Sequence, residues 1–206
     1  MTGYLPTNSY RRDNSFFREG YPGQENVVQM QNWRIDYDYI KTLNLKLVAG
    51  RNFDKTSARD SLSMIINESS AAKMNLTPKE AIGTRISRLN DSNEPIYATV
   101  IGVVKNFHFE TLRKQITPVS FRLGKSKGLM AVKVQTNNLS GTISDIENLW
   151  DKLAPGQPFS YDFMDDSFNA TYKAEQRLGK IFIIFTILSI ATVSYTHLTL
   201  PTILRV

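Results

Sequence analysis

Residues 130–164 read MAVKVQTNNLSGTISDIENLWDKLAPGQPFSYDFM. Met130, Val132 and Val134 alternate with Ala131, Lys133 and Gln135, the period of a strand with one buried face. Leu139, Ile143, Ile146, Trp150 and Leu153 then recur at helical spacing, and Pro155–Gly156 ends the helix. Phe159, Tyr161 and Phe163 alternate with Ser160, Asp162 and Met164, so a second strand is predicted. Strand, crossover helix and strand make a βαβ unit, with two parallel strands and a helix on one face.

Beyond this unit, Asp165 or Asp166 is placed to N-cap a last helix, where an acidic side chain meets free N–H groups and the positive end of the dipole. Phe168, Tyr172, Glu175, Leu178 and Phe182 share one face of it. From Ile181 to Val193 the chain reads IFIIFTILSIATV, apolar on every side. These 13 residues span about 20 Å as a helix, against a hydrocarbon core of about 30 Å, so the run is too short to cross a membrane alone. The string Val193–Thr202, VSYTHLTLPT, resembles a translated sequencing adapter, so the gene is expected to be cut near Thr192, leaving the membrane helix a stump.

Towards the N-terminus, Ile96–Val104 (IYATVIGVV) is the strongest strand in the chain, apolar or β-branched at nearly every position, with both faces expected to be covered. Val27–Ile35, Leu62–Ile66, Thr84–Leu89 and Pro118–Leu123 also read as strands. Asp36 is expected to cap a short helix over 37–43, and Asn67 one over 68–74. Gly50–Arg51–Asn52–Phe53 and Asn90–Pro95 read as turns. The first 25 residues, rich in Asn, Ser, Gly, Pro, Tyr and Arg, read as a loop entering a domain. They lack the layout of a signal peptide, and Met1 is not taken as a true start.

Composition narrows the function classes. The 206 residues are 41% hydrophobic and 21% charged, which excludes a mostly disordered chain. A mean hydropathy of −0.28 excludes a polytopic membrane protein. With no Cys there is no disulfide scaffold, thiolate zinc site or cysteine nucleophile. The net charge of +6 is spread along the chain: residues 1–60 carry 9 basic and 7 acidic groups, residues 61–124 carry 8 and 5, and residues 125–180 carry 7 and 7. No stretch forms a basic stripe, so nucleic acid is not an expected partner.

Candidate chemistry is sparse. Asp162, Asp165 and Asp166 form the densest acidic cluster, read as a strand end and a helix cap because no further acidic spacing completes a carboxylate metal site. His108, between Phe107 and Phe109, has no paired acid or serine motif nearby, and His197 falls in the adapter-like tail. Ser61, Ser63, Ser69 and Ser70 lack the G-x-S-x-G elbow. Asn138-x-Ser140 matches a glycosylation acceptor and is read as chance. The aromatics Phe159, Tyr161, Phe163 and Phe168 are read as core. No catalytic, cofactor-binding or metal residues are assigned, no cofactor is expected, and the chain is not read as an enzyme.

A series of short motifs carries a resemblance. They are Asp36–Leu43 (DYDYIKTL) followed by Gly50–Phe53 (GRNF), Ile65–Glu68 (IINE) with Ala71–Ala72, Ile101–Phe109 (IGVVKNFHF), Pro158–Asp166 (PFSYDFMDD) and Glu175–Phe182 (EQRLGKIF). In this order and spacing, over roughly Val27–Thr192, the chain resembles the periplasmic core domain of MacB/FtsX-type ABC transporter permeases of the kind common in Bacteroidetes. The resemblance implies an α+β fold: a porter-like βαβ subdomain, a small inserted β-rich subdomain, and a C-terminal helix entering the membrane. It divides the chain into an N-terminal segment (1–25), a periplasmic core (26–165, porter-like over 26–52 and 124–165, inserted over 53–123), a connecting and truncated transmembrane helix (166–192) and the tail (193–206).

The same resemblance implies a non-catalytic permease fragment in the bacterial inner membrane, this region being periplasmic. Its partners would be a cytoplasmic ABC ATPase, a second permease copy, and a periplasmic or outer-membrane protein. The function implied is coupling of ATP-driven motion to export, or to handling of lipoproteins or antimicrobial compounds. Gly179 would be a hinge or a small residue for helix packing. Arg177 and Lys180 before the apolar run favour a cytoplasmic side by the positive-inside rule, against the family placement. The competing reading is a membrane-anchored periplasmic binding or sensory module without an ATPase; a hydrolase is the third.

Overall fold

The computed structural model describes residues 13–20, 26–89, 94–107, 116–124 and 129–203, without the side chains of 168–176 and 198–203. Seven strands form one sheet: β1 (Asp13–Arg18), β2 (Val27–Ile35), β3 (Leu47–Gly50), β4 (Ser63–Asn67), β5 (Arg85–Leu89), β6 (Pro95–Val104) and β7 (Val119–Leu123). Their order is β3-β6-β4-β7-β2-β1-β5, and β5 pairs again with β6. Six strands therefore close into a barrel, with β3 added beside β6 where β5 leaves off. Length makes this possible: β6 pairs β5 through Pro95–Thr99 and β3 through Gly102–Val104. The β2–β7 and β4–β6 pairs are parallel, and the others are antiparallel.

Alternation sorts the side chains onto two faces. One core cluster draws Phe16, Val28, Met30, Met64, Ile66, Ile86, Ala98 and Val100 from five of the six barrel strands, so it fills the interior. Helices α2 (Glu68–Lys73) and α3 (Pro78–Ala81) add the buried Ala71 and Ala81 to the same cluster. They sit where β4 ends and β5 begins, closing that end of the barrel. A second cluster lies on the outer face of β2, β4 and β7, where Trp33, Ile65, Val119 and Phe121 meet Tyr39 and Ile40 of α1 (Tyr39–Thr42) and Phe53. Trp33 and Phe121 pack edge to face at 5.7 Å. The Trp33 Nε1–H donates to Gln31 Oε1 at 2.8 Å, so this ring brings no unpaired polar atom into the core.

Several expectations are corrected here. Residues 13–18, read as part of an entry loop, form β1, anchored by the buried Phe16. Residues 26–52 and 53–123, assigned to two subdomains, share the one sheet: β2 pairs β7, and β3 pairs β6. Asp36 does not cap α1; Asp38 occupies the cap position without a side-chain bond. Sequence reading missed α3, although Thr77-Pro-Lys-Glu80 is a capping box with Pro at the first turn. A 3-10 turn at Ala58–Leu62 also went unread.

The chain separates into two compact units, Met1–Pro155 and Gly156–Val206. In the first, α4 (Leu139–Leu153) follows the predicted helix, and Asn138 Oδ1 caps it by accepting from Gly141 N at 3.1 Å. No residue of α4 is buried. Residues 130–136 are irregular, so the first strand of the predicted βαβ unit is not formed. In the second unit, 158–163 is likewise irregular, and α5 (Met164–Ile203) is one continuous helix of 40 residues. Strand alternation yields a strand only when a neighbour supplies backbone partners. Asp165 and Asp166 lie inside the first turn of α5 and act on its dipole instead of capping it.

Candidate functional site

Among the resemblance motifs, GRNF, IINE and the described part of IGVVKNFHF take part in two knots in the first unit. In one, buried Asn67 at the end of β4 caps α2: its Oδ1 accepts from Ser70 N at 3.0 Å and Ser70 Oγ at 2.7 Å. The same oxygen accepts from Val119 N at 3.0 Å, and Nδ2 donates to Thr117 O at 3.0 Å, tying β7 to the cap. Next to it, Asn106 N donates to Glu68 Oε2 at 2.8 Å and Asn106 Oδ1 accepts from Ser69 N at 2.9 Å. The IINE and VVKNF motifs thus clasp each other through N–H groups that the first turn of α2 and the end of β6 would otherwise leave unpaired.

The second knot is GRNF. Gly50 has φ +72°, and a Cβ there would overlap the Ile101 carbonyl oxygen. The turn aims Arg51 at Asp60, whose carboxylate is buried. Arg51 Nη1 and Nη2 donate to Oδ2 and Oδ1, each at 2.7 Å, and Asp54 N and Ser57 Oγ add bonds at 2.8 and 3.0 Å. The guanidinium fork, foremost, holds the Asp60 carboxyl well below the usual carboxylate range, against the cost of burial. The carboxylate of Asp60 and the amide of Asn67 are each held by several donors or acceptors of the fold, which suits a rigid body better than an acid–base site.

The other singled-out residues disperse. Asp162, Asp165 and Asp166 are all exposed, and among the described residues no three His, Cys, Asp or Glu side chains converge as a metal site would require. His108 lies outside the described residues, while His197 is exposed on α5. The hydroxyls of Ser61, Ser63, Ser69 and Ser70 donate to Ala58 O, Arg59 O, Ile116 O and Asn67 Oδ1. The rings of Phe159, Tyr161 and Phe163 lie side by side at 5.7 and 5.6 Å, as alternation predicts. They are not core, however: Tyr161 and Phe163 are exposed. The Phe168 side chain lies outside the described set. Gly179 faces open space.

The 13-residue apolar run lies inside a longer candidate span of α5 that also takes in Ser194–His197 of the adapter-like tail. Arg177–His197, 21 residues of mean hydropathy 1.8, is long and apolar enough to cross a membrane, with none of it buried against the protein. At 1.5 Å per residue it reaches about 30 Å. Its hydroxyls are provided for: Thr186, Ser189, Thr192 and Thr196 each donate to the carbonyl one turn back, at 2.8, 2.8, 2.9 and 2.8 Å. Such bonds let hydroxyls enter hydrocarbon without a bare donor.

No family model and no curated protein matches the chain. Solved structures are similar to it. The periplasmic region of MacB from Actinobacillus actinomycetemcomitans has 14% identity and TM-score 0.43, over 71% of this chain and 69% of that one. A domain of a protein assigned as a permease from Porphyromonas gingivalis has 14% identity and TM-score 0.45, over 77% and 78%. The extracellular domain of the noncanonic ABC-type transporter YknZ from Gram-positive bacteria has 16% identity and TM-score 0.36, over 55% and 51%.

Proposed function

We propose that the chain is the extracytoplasmic domain of an ABC-type permease subunit, held to the inner membrane by α5. The observation that carries this reading is the joining, in one chain, of a barrel that carries the GRNF, IINE and IGVVKNF motifs and a helix fit for lipid. The domain transmits motion rather than performing chemistry: a cytoplasmic ATPase supplies the energy, α5 connects membrane and domain, and two permease copies work together. Export, or the handling of lipoproteins or antimicrobial compounds, is the task such motion would serve, with a periplasmic or outer-membrane protein receiving it. On the same reading residues 193–206 are foreign to the gene. Independent reads that continue past Thr192 into the same residues would overturn that point.

The absence of Cys makes the main test clean. A single-cysteine Lys79→Cys protein, altered at an exposed position of α3, is expected to react with a membrane-impermeant maleimide in intact spheroplasts. Reaction only after lysis would refute the extracytoplasmic placement. Co-elution of the full-length protein with an ABC ATPase in stoichiometric amounts is the second expected result. Labelling from outside with no ATPase would instead select the anchored binding or sensory module.

A further inference from the structure

The barrel interior is apolar at the end closed by α2 and α3 and cationic at the other. Arg34 near the end of β2 and Arg122 near the end of β7 are register partners, and Arg122 is also the partner of Met64. Met64 belongs to the interior cluster, so Arg122 and Arg34 share the inward face. Arg88, two residues beyond the interior Ile86 on β5, shares it as well. The stem of Arg34 lies across Gly124, where a Cβ would sit only 3.0 Å from its Cδ.

Charge at this mouth is not balanced on two of the three. No carboxylate pairs with Arg122 or Arg88 among the described residues. Arg88 donates only a long bond, Nη1 to Leu89 O at 3.4 Å, and its Nε is buried without a partner. The Arg122 guanidinium is held below its ordinary value by burial first, and then by the charges of Arg88 and Arg34. Like charges converging on a half-buried fork are unfavourable by themselves, and guanidinium does not escape by losing its proton.

We propose that this barrel mouth binds a phosphate group, gripped by Arg122 and Arg88 with Arg34 adding charge. A phosphate offsets part of the excess charge as a diester and more as a monoester dianion. A tetrahedral phosphate also offers enough oxygens for more than one guanidinium fork, which a single carboxylate does not. The bearer is either a soluble phosphate compound or a lipid headgroup. The inference stands independently of the permease reading, since it rests on the barrel alone.

Inorganic pyrophosphate, titrated against the full chain in an uncharged detergent, is the first probe. The expected result is saturable heat and a rise of several degrees in the thermal midpoint, beyond that given by NaCl at equal ionic strength. Arg122→Gln and Arg88→Gln should each weaken binding at least tenfold, whereas Arg59→Gln, an exposed position on the 3-10 turn, should leave it unchanged. Arg122→Gln removes repulsion, so without anion its midpoint should equal or exceed that of the parent, separating lost binding from lost folding. Arg122→Lys, which keeps the charge but loses the fork, should bind with intermediate strength. The second probe is a nanodisc containing phosphatidylglycerol, compared with one of phosphatidylcholine alone. Arg122-dependent loss of pyrophosphate binding in the former assigns a lipid headgroup, and unchanged binding assigns a soluble bearer. Absence of saturable binding, or equal binding by Arg122→Gln, would overturn the proposal.

Discussion

The barrel over 13–123 and the C-terminal stretch over 129–203 use apolar residues of similar kinds to opposite ends. In the barrel, Met30, Ile65, Ile66 and Val100 are wholly buried, because each strand lends its neighbour both backbone partners and a wall. In the stretch that follows, Met130, Val132, Leu139 and Leu153 keep the period of core residues and yet are exposed. Periodicity states which face is apolar; it does not state what covers that face. In α5 the same chemistry runs round every side of Ile181–Val193, a pattern that fits lipid on the proposed function.

The contrast can be broken most severely at Gly50. Gly50→Ala forces a Cβ into the Ile101 carbonyl at a left-handed φ, and is expected to cost about 4 kcal/mol or more by urea denaturation. A loss below about 1 kcal/mol would show the turn to be loosely held. Next comes the lipid helix: Ile187→Arg should oppose insertion by about 3 kcal/mol, read as protein released by alkaline extraction of membranes. Full retention would mean that α5 is not lipid-facing there.

Asp60→Asn keeps the shape of its knot and removes the charge, with an expected loss of about 2 kcal/mol near neutral pH. The folded carboxyl titrates below its unfolded value. Its contribution is therefore complete above about pH 4 and is lost as pH falls through the folded value. The gap between parent and variant should be level down to about pH 5 and narrow below about pH 4. A gap that widens in acid would contradict the fork. Smallest is Leu153→Lys on exposed α4, expected within about 0.5 kcal/mol. A loss above 1 kcal/mol would mean that this stripe is covered.

Most of the barrel was legible in the sequence. Val27–Ile35 is β2 to the residue, and β4 to β7, α2 and α4 lie within two residues of expectation. β1 was not, because only Phe16 of its six residues is buried and the adjoining Phe17 hides the alternation. The predicted βαβ failed because alternation at 130–134 and 159–163 gives no hint whether a neighbouring strand is there to receive it. The arginine mouth was invisible for a different reason. Arg34, Arg88 and Arg122 stand far apart in mixed-charge surroundings, and only the β2–β7 register and the closure through β5 bring them together. The Arg51–Asp60 fork was hidden in the same way, though its turn was read.

Closure has a consequence for recognition. Each of the six barrel strands already has a neighbour on both sides, and only β3, four residues long, has a single described neighbour. An incoming peptide finds only short open rows of N–H and C=O groups, on β3 and on β1 before Phe17, where β5 has left off, so β-augmentation is a restricted route to this domain. Whatever docks elsewhere on it must be chosen by side chains. The same feature limits the edge-to-edge stacking by which open sheets assemble into fibres.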